Sequence, residues 1–277
     1  MASLDMSMHY QNYRNKVVII TGASFGIGKS LALQLSEQGA HLVLAARSKQ
    51  LLDALKAQCE SLGGRALVVP TDVSVPAHCQ ALVQRAAEHY GRIDTLVNNA
   101  GVCMIARFEE VQALSLYEQI MRVNYLGSVY CTHYCLPYLK QSRGHVVAIT
   151  SLAGRTGVPL YSAYSASKHA MIGFFESIRI ELEPAGIDIT LILPDFVSSG
   201  IHERSVDGEG CTVGEAHGVD YERAISPDEC ARLCIRAMLN HEREAVLSWR
   251  GRIGQWVKLV APRAIDLITK KAIEMGR

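Results

Sequence analysis

The alternation of short apolar runs with longer amphipathic stretches constrains the fold of this chain most. Runs rich in Val, Ile and Leu stand at 16–20 (KVVII), 41–46 (HLVLAA), 66–70 (ALVVP), 94–98 (DTLVN), 145–150 (HVVAIT) and 188–193 (DITLIL). Runs of this length and composition read as buried strands. Helix-compatible segments lie between them, near 26–39, 48–62, 75–91, 115–140 and 161–184, long enough to serve as crossovers. Parallel strands need such crossovers, and the crossovers bury both faces of the sheet. The pattern therefore predicts an α/β fold, a doubly wound parallel sheet of six to seven strands with helices on both faces.

No linker-like run divides the 277 residues, so 1–277 reads as a single domain with an N-terminal extension over 1–15. Half the residues (49%) are hydrophobic, which suits one large core and argues against a disordered or fibrous chain. A net charge of +1 supplies no global field for nucleic acid, so no nucleic-acid partner is expected. The first fifteen residues have neither a basic-then-apolar leader nor a long apolar span, and the default expectation is a cytoplasmic protein. Eight cysteines are scattered without C-x-x-C spacing and read as free thiols. Cys131 and Cys135, like Cys230 and Cys234, are four apart, so each pair shares a helix face. That spacing would serve a metal, but it suits small buried hydrophobes better, and no metal is expected.

Directly after the first apolar run comes TGASFGIG, Thr21 to Gly28, and an amphipathic segment follows at once. This is a strand, a glycine-rich turn and a helix. Gly22 permits the sharp turn, Gly26 lets a ligand approach the backbone and Gly28 allows close helix packing. The helix N-terminus then offers unpaired N–H groups to a pyrophosphate, with Ser24, Phe25 and Ile27 forming the rest of the cradle. The placement gives the sheet a Rossmann-type reading. At the end of the second strand, an NAD-binding chain would carry an acidic residue for the ribose 2′-hydroxyl. Here Ala46 is followed by Arg47 and Ser48. A guanidinium fork matches a 2′-phosphate, so NADP(H) is favoured over NAD(H), with Lys49 as a second nearby cation; otherwise Arg47 is a solvated loop charge.

In SAYSASKH, Tyr164 and Lys168 lie four apart on a predicted helix and share a face. A phenol titrates near 10, and a neighbouring ammonium is expected to lower that value by favouring phenolate. Ser151, thirteen residues upstream, stands at the C-terminal end of the fifth strand, where open parallel sheets bind ligands. Tyr161 is a competing phenol, but the offset from Ser151 and the lysine four residues on favour Tyr164.

Joined to NNAG (Asn98 to Gly101) and to Asn124 in MRVNYLG, these motifs resemble the short-chain dehydrogenase/reductase family in its single-domain form, over about residues 16 to 200. The resemblance implies a catalytic tetrad of Asn124, Ser151, Tyr164 and Lys168. Tyr164 would be the general acid or base, Ser151 would position the carbonyl, and Lys168 would also hold the nicotinamide ribose. Asn124 would maintain a water-linked proton path. It further implies that Asp72 and Val73 border the adenine and that Asn99, Ala100 and Gly101 line the cofactor. Pro194, Val197 and Ser199 would reach the nicotinamide. Where the family has Pro-Gly after the sixth strand, this chain has Pro194-Asp195. Asp195 either contacts substrate or, the favoured reading, turns to solvent as a loop residue.

The glycine-rich stretch from Asp195 to about Ile225 reads as a substrate lid rather than a passive insertion. From Trp249 to Arg277, seven cations face two carboxylates amid a set of large apolar residues. Pro262 should split this basic amphipathic segment into two helices. Packing near the substrate entrance or a dimer interface is the favoured role, weak peripheral membrane contact the alternative. Its style resembles the hydroxysteroid-dehydrogenase-like branch. The expected activity is NADP(H)-dependent interconversion of a ketone or aldehyde and an alcohol, on a moderately apolar small molecule flanked by Val102, Cys103, Met104, Phe108, Leu152 and Leu160. Family habit implies a homodimer or homotetramer. The alternatives are a 3-oxoacyl thioester reductase and a non-catalytic NADP-binding sensor.

Overall fold

The computed structural model describes residues 13–214 and 224–275, with side chains as far as 271. Most of the N-terminal extension, nine residues of the lid stretch and the last two residues lie outside the described part. Seven strands form one parallel sheet: β1 Val17–Thr21, β2 His41–Ala46, β3 Arg65–Pro70, β4 Thr95–Asn98, β5 His145–Ile149, β6 Asp188–Leu193 and β7 Glu244–Val246. Their order across the sheet is β3-β2-β1-β4-β5-β6-β7. The winding reverses between β1 and β4, and the crevice outside the C-terminal ends of those strands is where this architecture accepts ligands.

Side chains alternate across each strand, so both faces of β1 are apolar. Val18 and Ile20 pack with Leu31, Leu35, Leu52 and Met238, which come from α1 Gly26–Glu37, α2 Lys49–Ser61 and α7 Pro227–Leu239. Val17 and Ile19 pack on the other face with Leu82, Leu139 and Phe175. These come from α3 Pro76–Tyr90, α5 Gly127–Ser142 and α6 Ser162–Leu182. Strand β7 completes the six to seven strands expected, and α7 is the helix on which Cys230 and Cys234 share a face. A three-residue strand, Glu-Ala-Val, is too short to carry a period.

The segment expected as one helix over 115–140 is α4 Ser115–Met121 and α5, joined by a π-helical turn at Arg122–Leu126. That wider turn carries Asn124, and such turns are often found at functional sites. Pro262 is the first residue of α9 Pro262–Met275, which follows α8 Trp249–Val260, so the expected break is present.

Candidate active site

The first turn of the site is held by a buried hydroxyl that sequence reasoning overlooked. Thr21, the last residue of β1, donates from Oγ1 to the Val97 carbonyl at 3.2 Å. The same oxygen accepts from the backbone N–H groups of Asn99 and Ala100, at 3.0 and 3.1 Å. Asn99 returns the contact, its Nδ2 donating to the carbonyls of Thr21 and Gly22 at 2.9 and 3.1 Å. The ends of β1 and β4 are thus laced together.

Gly22 and Gly26 adopt the left-handed conformation, with φ of 65° and 51°. A Cβ on Gly26 would stand 2.8 Å from the Cβ of Ser199. A Cβ on Gly28 would meet the Gly22 carbonyl and come within 2.5 Å of Asn99 Nδ2. Phe25, the residue before α1, has no side-chain cap, so the first N–H groups of α1 are left for a ligand. The cradle fits a phosphate group.

A cavity of about 690 Å³ runs from this turn across the sheet edge. At one end it is lined by Arg47, Ser48, Asp72 and Val73, in the middle by Ser24, Phe25, Ile27, Ala100 and Gly101, and at the far end by Ser151, Tyr164 and Lys168. Exposed Arg47 lies near Asp72. Partial burial raises the Asp72 carboxyl, but hydrogen bonds from Ser74 and the attraction of Arg47 outweigh it and hold it below its usual value. Ser48 Oγ caps α2, accepting from Leu51 N at 3.4 Å. Lys49 does not join Arg47. Its ammonium pairs with Asp53 at 2.6 Å, one helical turn on, and it is absent from the cavity lining.

Lys168 is almost fully buried and donates to the Ile149 carbonyl at 2.8 Å. Burial pulls its ammonium down to about 8. Its Nζ stands 5.6 Å from the Tyr164 ring centroid, so the two share a face as the spacing required. The expected lowering of the phenol is not found. Burial of the Tyr164 hydroxyl pushes its pKa up, and the hydrogen bond with Ser151 only partly opposes this. The reason is dielectric: both ionised forms are costly away from water, and the ammonium points at a carbonyl instead of the phenol. Ser151 Oγ also accepts from Ala153 N at 3.1 Å.

Asn124 is fully buried. Its Oδ1 accepts from Val102 N at 2.8 Å, while Nδ2 donates to the Val102 carbonyl and to Ser167 Oγ, both at 2.9 Å. Ser167 then donates to the Tyr164 carbonyl at 2.7 Å. The side chain therefore clamps the loop after β4 to the helix that bears Tyr164. Tyr161 lines the same cavity, its hydroxyl 3.4 Å from His202 Nδ1.

Beyond β6, Pro194, Val197 and Ser199 line the cavity. Val197 pairs with Ile225, which closes the two ends of the lid stretch on each other. Phe196, Ile201, His202 and Arg204 cover the cavity. The following residues are stitched to the loop after β4, with Ile105 N donating to the Val206 carbonyl at 2.9 Å and Gln112 N to Gly208 at 2.9 Å.

Asp195 is not a free loop residue. Its Oδ2 accepts from Ser248 Oγ at 2.8 Å, and Ser248 caps α8 by accepting from Gly251 N at 3.0 Å. The carboxylate that replaces a glycine anchors the C-terminal helices. Gly251 packs so tightly on Leu152 that a Cβ there would lie 2.6 Å from Leu152 Cδ1. Helix α9 then reaches the cavity with Ile268 and Thr269, so the C-terminal segment is a wall of the site.

Three of the expected flanking residues are not in that wall. Met104 is buried behind it with Leu116, Ile120 and Ala163. Phe108 is 73% exposed beside Tyr117. Leu160 sits at φ 70°, with its carbonyl accepting from Ala106 N at 3.0 Å. Alternation along a loop does not predict which side faces a cavity. All eight cysteines are free, and among the described residues no group of three or more His, Cys, Asp or Glu could hold a metal. No helix among the described residues is long and apolar enough to cross a membrane.

A family description, short chain dehydrogenase, matches residues 16–210. The chain is 42% identical over 257 residues to 11-beta-hydroxysteroid dehydrogenase-like 4A of Arabidopsis thaliana, covering 92% of this chain and 84% of that protein. It is 35% identical over 263 residues to 11-beta-hydroxysteroid dehydrogenase A of Sesamum indicum, with 93% and 75% covered. Among solved structures, it resembles an alcohol dehydrogenase from Thermococcus sibiricus complexed with 5-hydroxy-NADP. The TM-score is 0.74 at 26% identity, over 84% of this chain and 96% of that one. A short-chain dehydrogenase/reductase from Burkholderia phymatum in complex with NAD gives a TM-score of 0.80 at 25% identity, over 91% and 95%. With its sheet order, its glycine turn and a match spanning most of its length, the chain belongs to the short-chain dehydrogenase family of NAD(P)-binding oxidoreductases.

Proposed function

We propose that this single-domain chain is an NADP(H)-dependent oxidoreductase that interconverts a ketone or aldehyde and an alcohol on a moderately apolar, hydroxysteroid-like molecule. One observation carries the reading: a single cavity joins an open phosphate cradle with Arg47 at one end to Ser151, Tyr164 and Lys168 at the other. A bound reduced nicotinamide supplies the hydride to the carbonyl carbon.

The chain's own residues do the rest. Ser151 orients the substrate oxygen. Tyr164, kept protonated by burial, donates its proton as that oxygen gains negative charge. Lys168, cationic at neutral pH with a pKa of about 8, compensates the phenolate that remains and holds the ribose. Asn124, through Ser167, fixes the helix turn that carries the phenol. Arg47 takes the 2′-phosphate, for which its fork is suited and an NAD ribose gives no equivalent partner. The apolar wall of Val102, Leu152, Phe196, Ile201 and Ile268 supports an apolar substrate, in line with the hydroxysteroid names of the relatives.

The test is NADPH absorbance with a panel of carbonyl compounds that includes steroid ketones and 3-oxoacyl thioesters. Tyr164→Phe should bind NADPH as the parent does and lose on the order of 10²- to 10⁴-fold in turnover. A Phe variant as active as the parent defeats the assignment. Tight cofactor binding with no turnover across the panel would favour a sensor, and selective turnover of thioesters would move the substrate class.

A further inference from the structure

The cofactor cradle contains a cation that its glycine motif does not provide. Arg204, exposed on the lid stretch, lays its guanidinium over the Phe25 ring with the central carbon 4.4 Å from the centroid. Phe25 immediately precedes the uncapped N-terminus of α1. Arg204 Nη2 donates to the Ser199 carbonyl at 2.9 Å, and Ser199 is the residue that closes on Gly26. Both Phe25 and Arg204 line the cavity.

This arrangement is electrostatically one-sided. A helix N-terminus carries a partial positive charge, so a guanidinium held beside it gains nothing from the helix. Among the described residues Arg204 forms no ion pair, although the Glu203 carboxylate beside it at Gly200 attracts it. An anion between the two would use the helix N–H groups and the remaining donors of the fork together. The stack on Phe25 is a weak attraction that keeps the side chain in position.

We propose that Arg204 is a pyrophosphate-binding residue, carried by the lid stretch and closing over the bridging phosphates of the dinucleotide at the N-terminus of α1. This rests on the reading of that turn as an NADP(H) cradle. The two arginines then divide the cofactor: Arg47 reads the 2′-phosphate, and Arg204 reads the pyrophosphate. Cofactor binding and the position of the lid stretch become coupled through one side chain.

The experiment measures the affinity of the full chain for NADPH and for 2′-AMP, which lacks the pyrophosphate. The parent, Arg204→Gln, Arg204→Lys and Arg47→Gln are compared, with thermal melting to verify folding. Arg204→Gln should weaken NADPH tenfold or more, equivalent to about 1.4 kcal/mol, and leave 2′-AMP within about twofold. Lysine should restore part of the loss. Arg47→Gln should weaken both ligands. An Arg204→Gln variant that binds NADPH like the parent overturns the role of Arg204 while the cradle stands, as does one that weakens 2′-AMP equally. A parent chain that binds no dinucleotide overturns both.

Discussion

The glycine turn and the C-terminal helices border the same cavity but are held there differently. Around Gly22 to Gly28 the restraint is backbone geometry. Five hydrogen bonds, each made by Thr21 or Asn99, lace the ends of β1 and β4 together, and three glycines leave no room for a Cβ. Helices α8 and α9 depend on separate side-chain contacts. Ser248 reaches Asp195, Arg252 reaches the Val246 carbonyl at 3.1 Å, and Lys258 reaches the Arg155 carbonyl. Trp249 and Trp256 remain 68% and 72% exposed. The difference teaches that the half handling phosphate and proton is rigid, whereas the half facing substrate is adjustable one side chain at a time.

The strongest test of that contrast is Gly28→Ala. The added methyl meets the Gly22 carbonyl and Asn99, so we expect a loss of about 1–3 kcal/mol in stability and the largest loss of NADPH affinity of any single methyl addition. Denaturant melts and cofactor titration measure both. An alanine variant with parental affinity would show that the turn is not rigid.

The sheet edge remote from the cavity, at the start of β5 and β6, is sensitive to acid. His145, buried at the start of β5, bonds through Nε2 to Thr190 Oγ1 at 2.8 Å and stacks on His241 beyond α7 at 5.0 Å. Burial depresses its pKa to about 3. The unfolded chain takes up the proton near pH 6.5 and the folded one does not. Its contribution is therefore complete above about pH 6.5 and declines as pH falls toward 3, at no more than about 1.4 kcal/mol per pH unit. Melting from pH 7 to pH 5 should show that decline, and a His145→Gln chain should lose part of the slope. Identical slopes would show that His145 does not carry the acid sensitivity.

The smallest effect should come from Ser248→Ala. Losing this cap costs about 1 kcal/mol, and with α8 loosened the KM for substrate should rise several-fold while NADPH affinity stays put. If cofactor affinity falls in step with KM, the two halves are one unit and the contrast is lost.

How much was legible depended on range. The six longer strands and the glycine turn were readable because period, composition and spacing are local. Tyr164 and Lys168 shared a face because four residues make one helical turn. The direction of the Tyr164 shift was not readable, because burial is summed over the whole fold. Asp195 was assigned to solvent for a similar reason: Ser248 is 53 residues away in the chain. Nothing local marks Arg204, because its stack on Phe25 joins residues far apart in the chain.

The sequence by itself determined the alternation that winds the sheet, the conformations only glycine accepts in the first turn, and the identity of the chemical groups at hand. Only tertiary structure decided which of those groups meet. It bent the chain after β6 so that Asp195 holds α8, brought Ile268 and Thr269 to the cavity, and set a guanidinium over Phe25. The physical reason is that periodicity and dihedral preference act over a few residues. Hydrogen bonds, burial and charge act over ångströms of space, whatever the separation along the chain.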